Sequence, residues 1–230
     1  MSIWALAGRA IGEALVQNCL LCGAGSGDAL LCPDCRDDLP RLGGPACPVC
    51  ALPTTAGAVC GACLKSPPAF DATIAAWRYG FPADKLVQSL KYEHRLAIAG
   101  LFAKAMLAGP RPDGDLLIPL PLSPRRLADR GFNQAVEIAR PLARALDVPL
   151  APEACRRTRE TVPQASLPWK ERRSNVRHCF ECSQDLTGKA VIVVDDVMTT
   201  GATLDELAAL LKRHGAARVT NWVVARAVRD

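Results

Sequence analysis

Hydrophobic and polar positions follow two different rhythms along the chain, and the change comes near residue 66. Downstream, short β-branched or aliphatic runs alternate with longer stretches whose apolar residues recur every three or four positions, as strands and amphipathic helices do in turn. "FDATIAAWRYGF" predicts a strand and "ADKLVQSLKYEHRLAIAGLFAKAML" a single helical stretch after it. "DLLIPLPL" predicts the next strand, and "GFNQAVEIARPLARAL" a helix that Pro141 bends or opens. After a polar, arginine-rich stretch come the strand "AVIVVDD", the helix "LDELAALLKRHG" and the strand "ARVTNWVVARAV". Such alternation predicts an α/β fold, a mainly parallel sheet flanked by helices.

Upstream the pattern is different. "MSIWALAGRAIGEALV" has apolar positions at roughly helical spacing and predicts a short amphipathic helix; Arg9 and Glu13 interrupt it, so neither a signal peptide nor a membrane span is expected. Beyond it, large apolar residues are scarce and cysteines recur. The pairs Cys19/Cys22, Cys32/Cys35, Cys47/Cys50 and Cys60/Cys63 are all C-x-x-C, and a shift of 28 residues maps the first two pairs onto the last two. The region therefore reads as a duplicated unit with a full tetrahedral set in each copy. Thiolates in C-x-x-C turns are zinc ligands, and a segment with so little apolar surface needs the metal to fold. Two structural Zn2+ ions are expected, in sequential ligation; a cross-braced pairing stays open.

This cysteine usage, with no export signal read ahead of it, belongs to a reducing cytoplasm. Cys155, Cys179 and Cys182 are left over. With His178 they could make one more metal site, but a strand at "NVRHCFEC" would point them to opposite faces, so buried or idle thiols are expected. "SPPAF" marks a boundary, giving an N-terminal helix and cysteine region over 1–66 and a second domain over 67–230. Net charge is +5, yet residues 1–68 carry four basic and five acidic side chains, so the anion-seeking surface lies in the second domain. The cysteine region shows no basic stripe with interleaved aromatics, which argues for docking or scaffolding over nucleic-acid binding.

"AVIVVDDVMTTGAT", residues 190–203, carries the chemistry. In a parallel sheet, ligands gather at the carboxyl ends of strands, which puts Asp195 and Asp196 at that edge. A helix follows, opening with Thr203 and Glu206 in capping-box spacing. Its unpaired amides, with the hydroxyls of Thr199, Thr200 and Thr203 and the bare backbone of Gly201 and its neighbour Ala202, make a phosphate cradle. Acids beside a phosphate site repel the phosphate unless they serve another part of the same ligand. Vicinal ribose hydroxyls are such a part, and Mg2+ would relieve the remaining charge.

Apolar residues, Asp-Asp, two positions and Thr-Thr-Gly-x-Thr resemble the signature of type I phosphoribosyltransferases, which bind 5-phosphoribosyl 1-diphosphate (PRPP). The likeness extends to the ComF family (ComFC- or GntX-like proteins) through the cysteine pairs, "LKY" at 90–92, "PLPLSPRRLADRGFNQA" at 119–135 and "RRTRETVPQASLPWKERRSNV" at 156–176. It implies a type I phosphoribosyltransferase fold behind a small N-terminal double zinc ribbon. It also implies that Asp195 and Asp196 contact the ribose as the catalytic acids, while Thr199, Thr200, Gly201, Ala202 and Thr203 hold the 5′-phosphate. Ser123, Arg125, Arg126 and Arg130, with Lys91, are candidates for the diphosphate. A hood over 156–170 would cover the site, with Arg157, Arg159 and Gln164 as candidates.

The function implied is phosphoribosyl transfer from Mg2+-bound PRPP to an unidentified nucleophilic acceptor. The family resemblance adds links to natural transformation, single-stranded DNA and DNA-uptake or recombination proteins. The alternative is a non-catalytic PRPP- or nucleotide-sensing adaptor that docks DNA-processing partners through its zinc region.

Overall fold

The computed structural model describes residues 17–159 and 178–228. The expected N-terminal helix and the hood candidate Gln164 lie outside the described residues.

The cysteine region forms two copies of one small unit. The first holds strands β1 (Gln17–Asn18) and β2 (Gly25–Gly27), paired antiparallel, and helix α1 (Pro33–Asp37). The second ends in helix α2 (Gly61–Lys65), displaced from α1 by the 28-residue period of the sequence. The hydrogen bonds repeat with the same period. Gly23 N donates to Cys19 O (2.9 Å) as Ala51 N does to Cys47 O (2.8 Å), and Arg36 N to Cys32 O (3.1 Å) as Leu64 N does to Cys60 O (3.0 Å). Both knuckle turns need a left-handed residue after the second cysteine. Gly23 has φ 77°, and Ala51 takes φ 57° at the matching position, where L side chains rarely sit.

The body is a four-stranded parallel sheet in the order β3 (Ala72–Arg78), β8 (Arg218–Arg226), β7 (Ala190–Met198), β4 (Leu116–Pro119). Helices α3 (Ala83–Tyr92), α4 (Ala97–Leu107) and α6 (Gln134–Leu146) pack Leu86, Leu90, Phe102, Ile138 and Leu142 on one face, around Trp222. Helix α7 (Ala202–Arg213) covers the other face with Leu204, Leu207 and Leu211. There it meets a two-stranded antiparallel ribbon, β5 (Cys155–Arg157) with β6 (Phe180–Cys182). Between β4 and α6 lies the short helix α5 (Pro124–Arg130).

Each cysteine unit joins one of these faces. Cys19, Leu31, Cys32 and Leu39 pack with Trp77 and Leu86, whereas Cys47, Cys50 and Cys63 pack with Phe70, Met198 and Ala202. The chain between the units runs along the open edge of β3. Arg78 N donates to Pro40 O (2.7 Å), Arg41 bridges Trp77, and Thr73 N donates to Pro48 O (3.3 Å). An uncovered edge strand is a template for aggregation, so this cover has a function of its own. Residues 66–70 are anchored as well: Ala69 N donates to Asp205 Oδ1 at 2.7 Å, and Phe70 is buried.

Two local expectations change. The single helical stretch at 83–107 is two helices, separated at His94, which is left-handed with φ 58°. The four polar or amphipathic residues "YEHR" interrupt the apolar stripe there. Pro141 lies inside α6, beyond its first turn. The helix α6 is started by Asn133, whose Oδ1 accepts from Ala135 N (2.9 Å) while its Nδ2 donates to Leu120 O (3.0 Å). That side chain pins the end of β4 to the head of α6. No helix among the described residues is long and apolar enough to cross a membrane.

Asn133→Ala removes both the cap and the tether and should cost about 1–2 kcal/mol in urea unfolding. Stripping the bound metal with a strong chelator should shift one cooperative calorimetric transition downwards, because each cysteine unit shares a core with the sheet. An untouched main transition with a separate small one lost would contradict that shared core.

Candidate functional site

β4 pairs with β7 only from Leu116 to Pro119, opposite Val191 to Val194, and the contact ends with Leu120 N donating to Val194 O (2.8 Å). β7 does not stop at the acids as its sequence suggests. It continues to Met198, paired with β8 through Asp195↔Val223 and Met198↔Arg226. Asp195 and Asp196 therefore sit within a strand, on the side where its other neighbour has already turned away. The chain leaving β4 crosses by α6 on one face and the chain leaving β7 by α7 on the other. The crevice between those two strands is the switch point where α/β sheets take ligands.

Both carboxylates are almost wholly buried, with Asp195 7% and Asp196 3% exposed. Asp196 N donates to Asp195 Oδ1 at 2.8 Å. Lys91, from the last turn of α3, brings its Nζ to 2.7 Å from Asp196 Oδ2. Burial alone would lower the Lys91 ammonium pKa, but Asp196 and then Asp195 outweigh it and leave it raised. For Asp195, burial together with the neighbouring Asp196 charge pushes the carboxyl up to about 8, against the pull of Lys91. This environment favours a protonated Asp195 at neutral pH.

The Thr loop turns directly out of β7. Its capping differs from expectation: the helix starts at Ala202, Gly201 is the cap residue with φ 81°, and Thr200 Oγ1 accepts from Ala202 N at 3.2 Å. A Cβ at Gly201 would come within 2.6 Å of Met198 Cε and 3.7 Å of Phe70, so this turn is both left-handed and tightly backed. Glu206 serves elsewhere, its Oε1 accepting from His178 N at 2.7 Å. A cavity of about 1010 Å³ opens between the loop residues Thr199–Ala202 and the second cysteine unit, with Phe70 and Tyr79 in its wall. Asp195 and Asp196 do not line it. Tyr79 carries no obvious signal in the sequence. Burial raises its phenol pKa, with Lys91 opposing and Asp84 and Asp196 adding, which marks it as a neighbour of the acid pair.

Ser123 caps α5, accepting from Arg126 N (3.5 Å), and is buried. Arg125 pairs with Asp129 (3.8 Å) on an exposed surface. Arg130 donates to Gln134 Oε1 and lies 5.7 Å over the ring of Tyr92, next to Lys91. Of the loop arginines, Arg130 is thus brought beside Lys91, while Arg125 lies along the outer side of its helix.

Among the hood candidates, Arg157 is buried in β5, its guanidinium 5.6 Å over Phe180, and Arg159 is exposed just after the ribbon. Cys155 and Cys182 face each other across β5 and β6. Cys155 and Cys179 are buried and Cys182 partly so, and burial pushes the Cys155 and Cys179 thiols up.

Two four-sulfur groups, Cys19/Cys22/Cys32/Cys35 and Cys47/Cys50/Cys60/Cys63, each have all their sulfurs within 4.8 Å of one another, in the sequential arrangement. Cys60 N donates to Cys47 Sγ (3.3 Å) and Cys35 N to Cys32 Sγ (3.5 Å), the amide support that thiolate ligands take. Burial pushes the Cys19 thiol up, but amides at Cys22, Cys32 and Leu21 outweigh it and draw the pKa down to about 6. Four such soft donors in each group fit zinc.

Two family models match parts of the chain. Residues 14–64 match the double zinc ribbon domain and residues 133–229 the phosphoribosyl transferase domain. The chain is 37% identical over 189 residues to the DNA utilization protein YhgH of Escherichia coli O157:H7, covering 78% of this chain and 83% of that protein. It is 32% identical to Competence protein F of Haemophilus influenzae over 179 residues, 73% and 78% of the two chains. Competence protein ComFC of Bacillus subtilis is 28% identical over 215 residues, 86% and 85% of the two. A parallel sheet of phosphoribosyltransferase type, carrying a double zinc ribbon and sharing more than a third of its aligned residues with YhgH, makes this chain a member of the ComF family.

Proposed function

We propose that this protein binds PRPP as its Mg2+ complex in the β4/β7 crevice and transfers the phosphoribosyl group to a nucleophilic acceptor. The observation that carries the reading is the buried Asp195–Asp196 pair, placed directly ahead of the left-handed Gly201 turn at the head of α7. Few ligands need both features at that distance. A ribose offers two hydroxyl donors to the carboxylates, and its 5′-phosphate takes the amides and hydroxyls of Thr199 to Thr203.

The protein's part in the reaction is placement and charge. Asp195 and Asp196 hold the ring as carbon 1 gains positive character. Lys91, paired with Asp196, and Arg130, over the neighbouring Tyr92, are the cations that would meet the diphosphate as it leaves, with Arg126 as a further candidate. Bound Mg2+ would supply further neutralisation of that leaving group. The acceptor nucleophile forms its bond to carbon 1 as the carbon–oxygen bond to diphosphate breaks. The relatives' names, DNA utilization protein and competence protein, support a setting in DNA uptake and use, with single-stranded DNA and DNA-uptake or recombination proteins as partners.

Incubation with Mg2+, PRPP and a panel of nitrogenous bases and ammonia tests catalysis. Diphosphate release should depend on one acceptor and fall on the order of a hundredfold in Asp195→Asn. Tight PRPP binding with no acceptor-dependent release would favour the sensing-adaptor reading instead.

A proton count gives a separate check. Burial and Asp196 let Asp195 hold its proton up to about pH 8, whereas hydroxyl donors and Mg2+ would favour the carboxylate. Binding at pH 7 should therefore release close to about one proton per site, read from titration heats in buffers of different ionisation enthalpy. Affinity should rise from pH 6 to 8 and level off above, and Asp195→Asn should abolish the release. Proton uptake would contradict the assignment.

A further inference from the structure

A single side chain joins the second zinc-ribbon unit to the Thr loop. Arg226 is the last residue of β8 and only 3% exposed. Its Nε donates to the carbonyl of Cys50 at 2.7 Å. Its Nη1 donates to the carbonyl of Met198 at 3.0 Å, to that of Thr199, and to that of Ala227 at 2.7 Å. Cys50 belongs to the second four-sulfur cluster; Met198 ends β7 and Thr199 begins the loop. One planar guanidinium thus spans the seam, and a buried cation is kept there by carbonyl dipoles on both sides.

The direction of these bonds gives them a consequence. In a trans peptide the C=O and N–H point in opposite directions. Holding the Met198 and Thr199 carbonyls on Arg226 therefore turns the N–H groups of Thr199 and Thr200 the other way, away from the guanidinium. A loop that binds an anion through its amides depends on that orientation. The backing is reinforced by Phe70, Met198, Cys50 and Cys63, which share one buried cluster, while the first unit packs with Trp77 and Leu86 on the opposite face of the sheet.

We propose that Arg226 is a positioning residue for the Thr loop, and that through it the second metal site, and not the first, sets the affinity for the sugar 5′-phosphate. The proposal deepens the PRPP reading and rests on it. Nothing in "WVVARAV" announces this role except that an arginine follows the apolar run Trp222 to Ala225.

The test compares wild type with Arg226→Lys, Cys60→Ser and Cys22→Ser by three readouts: zinc per chain, Mg2+–PRPP affinity by calorimetry, and hydrogen exchange of the amides from Thr199 to Ala202. Lysine keeps the charge but not the fork. Arg226→Lys should retain both metals and a melting temperature close to wild type, bind PRPP roughly tenfold more weakly and exchange faster at Thr199 and Thr200. Cys60→Ser should lose one metal and show the same loop defects. Cys22→Ser, altered at an exposed ligand, should lose one metal yet bind PRPP within about twofold of wild type. Equal losses in the two cysteine variants, or wild-type affinity in Arg226→Lys, would overturn the inference. If the wild type shows no PRPP binding, the PRPP reading fails and the exchange arm judges Arg226 alone: unchanged rates in Arg226→Lys would overturn its positioning role, and faster rates would sustain it.

Discussion

Two adjacent carboxylates buried in one strand are costly, because each charge loses most of its water and feels the other at close range. At Asp195 and Asp196 the cost is met from several directions. One acid is held toward its neutral form; the other takes an ammonium at 2.7 Å from a helix on the neighbouring layer. To deliver Lys91 there, α3 has to end at Tyr92, and the chain must turn through a left-handed His94 before α4 begins. To leave the acids open on one side, β4 has to stop at Pro119, and Asn133 ties down its end. The arrangement of helices around the sheet follows from this pair.

The zinc-ribbon region is a second adaptation, to a shortage of apolar surface. Neither cysteine unit has a core of its own beyond its sulfurs and a few aliphatic side chains, so each borrows one from the sheet. The two copies share internal hydrogen bonds but not neighbours, one lying with Trp77 and the other with Met198. Linked along β3, they also close an edge that a four-stranded sheet would otherwise leave open.

Much of this was legible in the residues. The 28-residue period, the alternation of runs after Ser66 and the Asp-Asp…Thr-Thr-Gly spacing depend on local chemistry, which sequence carries directly. Contacts between distant elements were harder to read. Lys91 reads as a candidate for the diphosphate, but its pairing with Asp196 depends on the docking of α3 against β7. Glu206 stands in capping-box spacing from Thr203 yet bonds His178, because Gly201 already starts the helix and the β5–β6 ribbon brings another amide within reach. The strand seemed to end at its acids because charge usually ends a buried strand, whereas pairing with β8 carries it on to Met198. Cys155 and Cys182 gave no sign of being opposite each other, since cross-strand register depends on a pairing that spacing along the chain does not encode.

The β5–β6 ribbon closes just beyond its paired strands with one backbone bond, Thr158 N to Cys179 O at 2.9 Å, and Glu206 fastens the next residue to α7. Thr158 and Cys179 are thereby held side by side at the open end of the ribbon. Closure entropy grows only with the logarithm of loop length. Ends held this close would let an insertion made at the ribbon lengthen at little cost to the sheet. In engineering terms, the ribbon is a grafting port: a pair of chain ends that the scaffold itself holds in register.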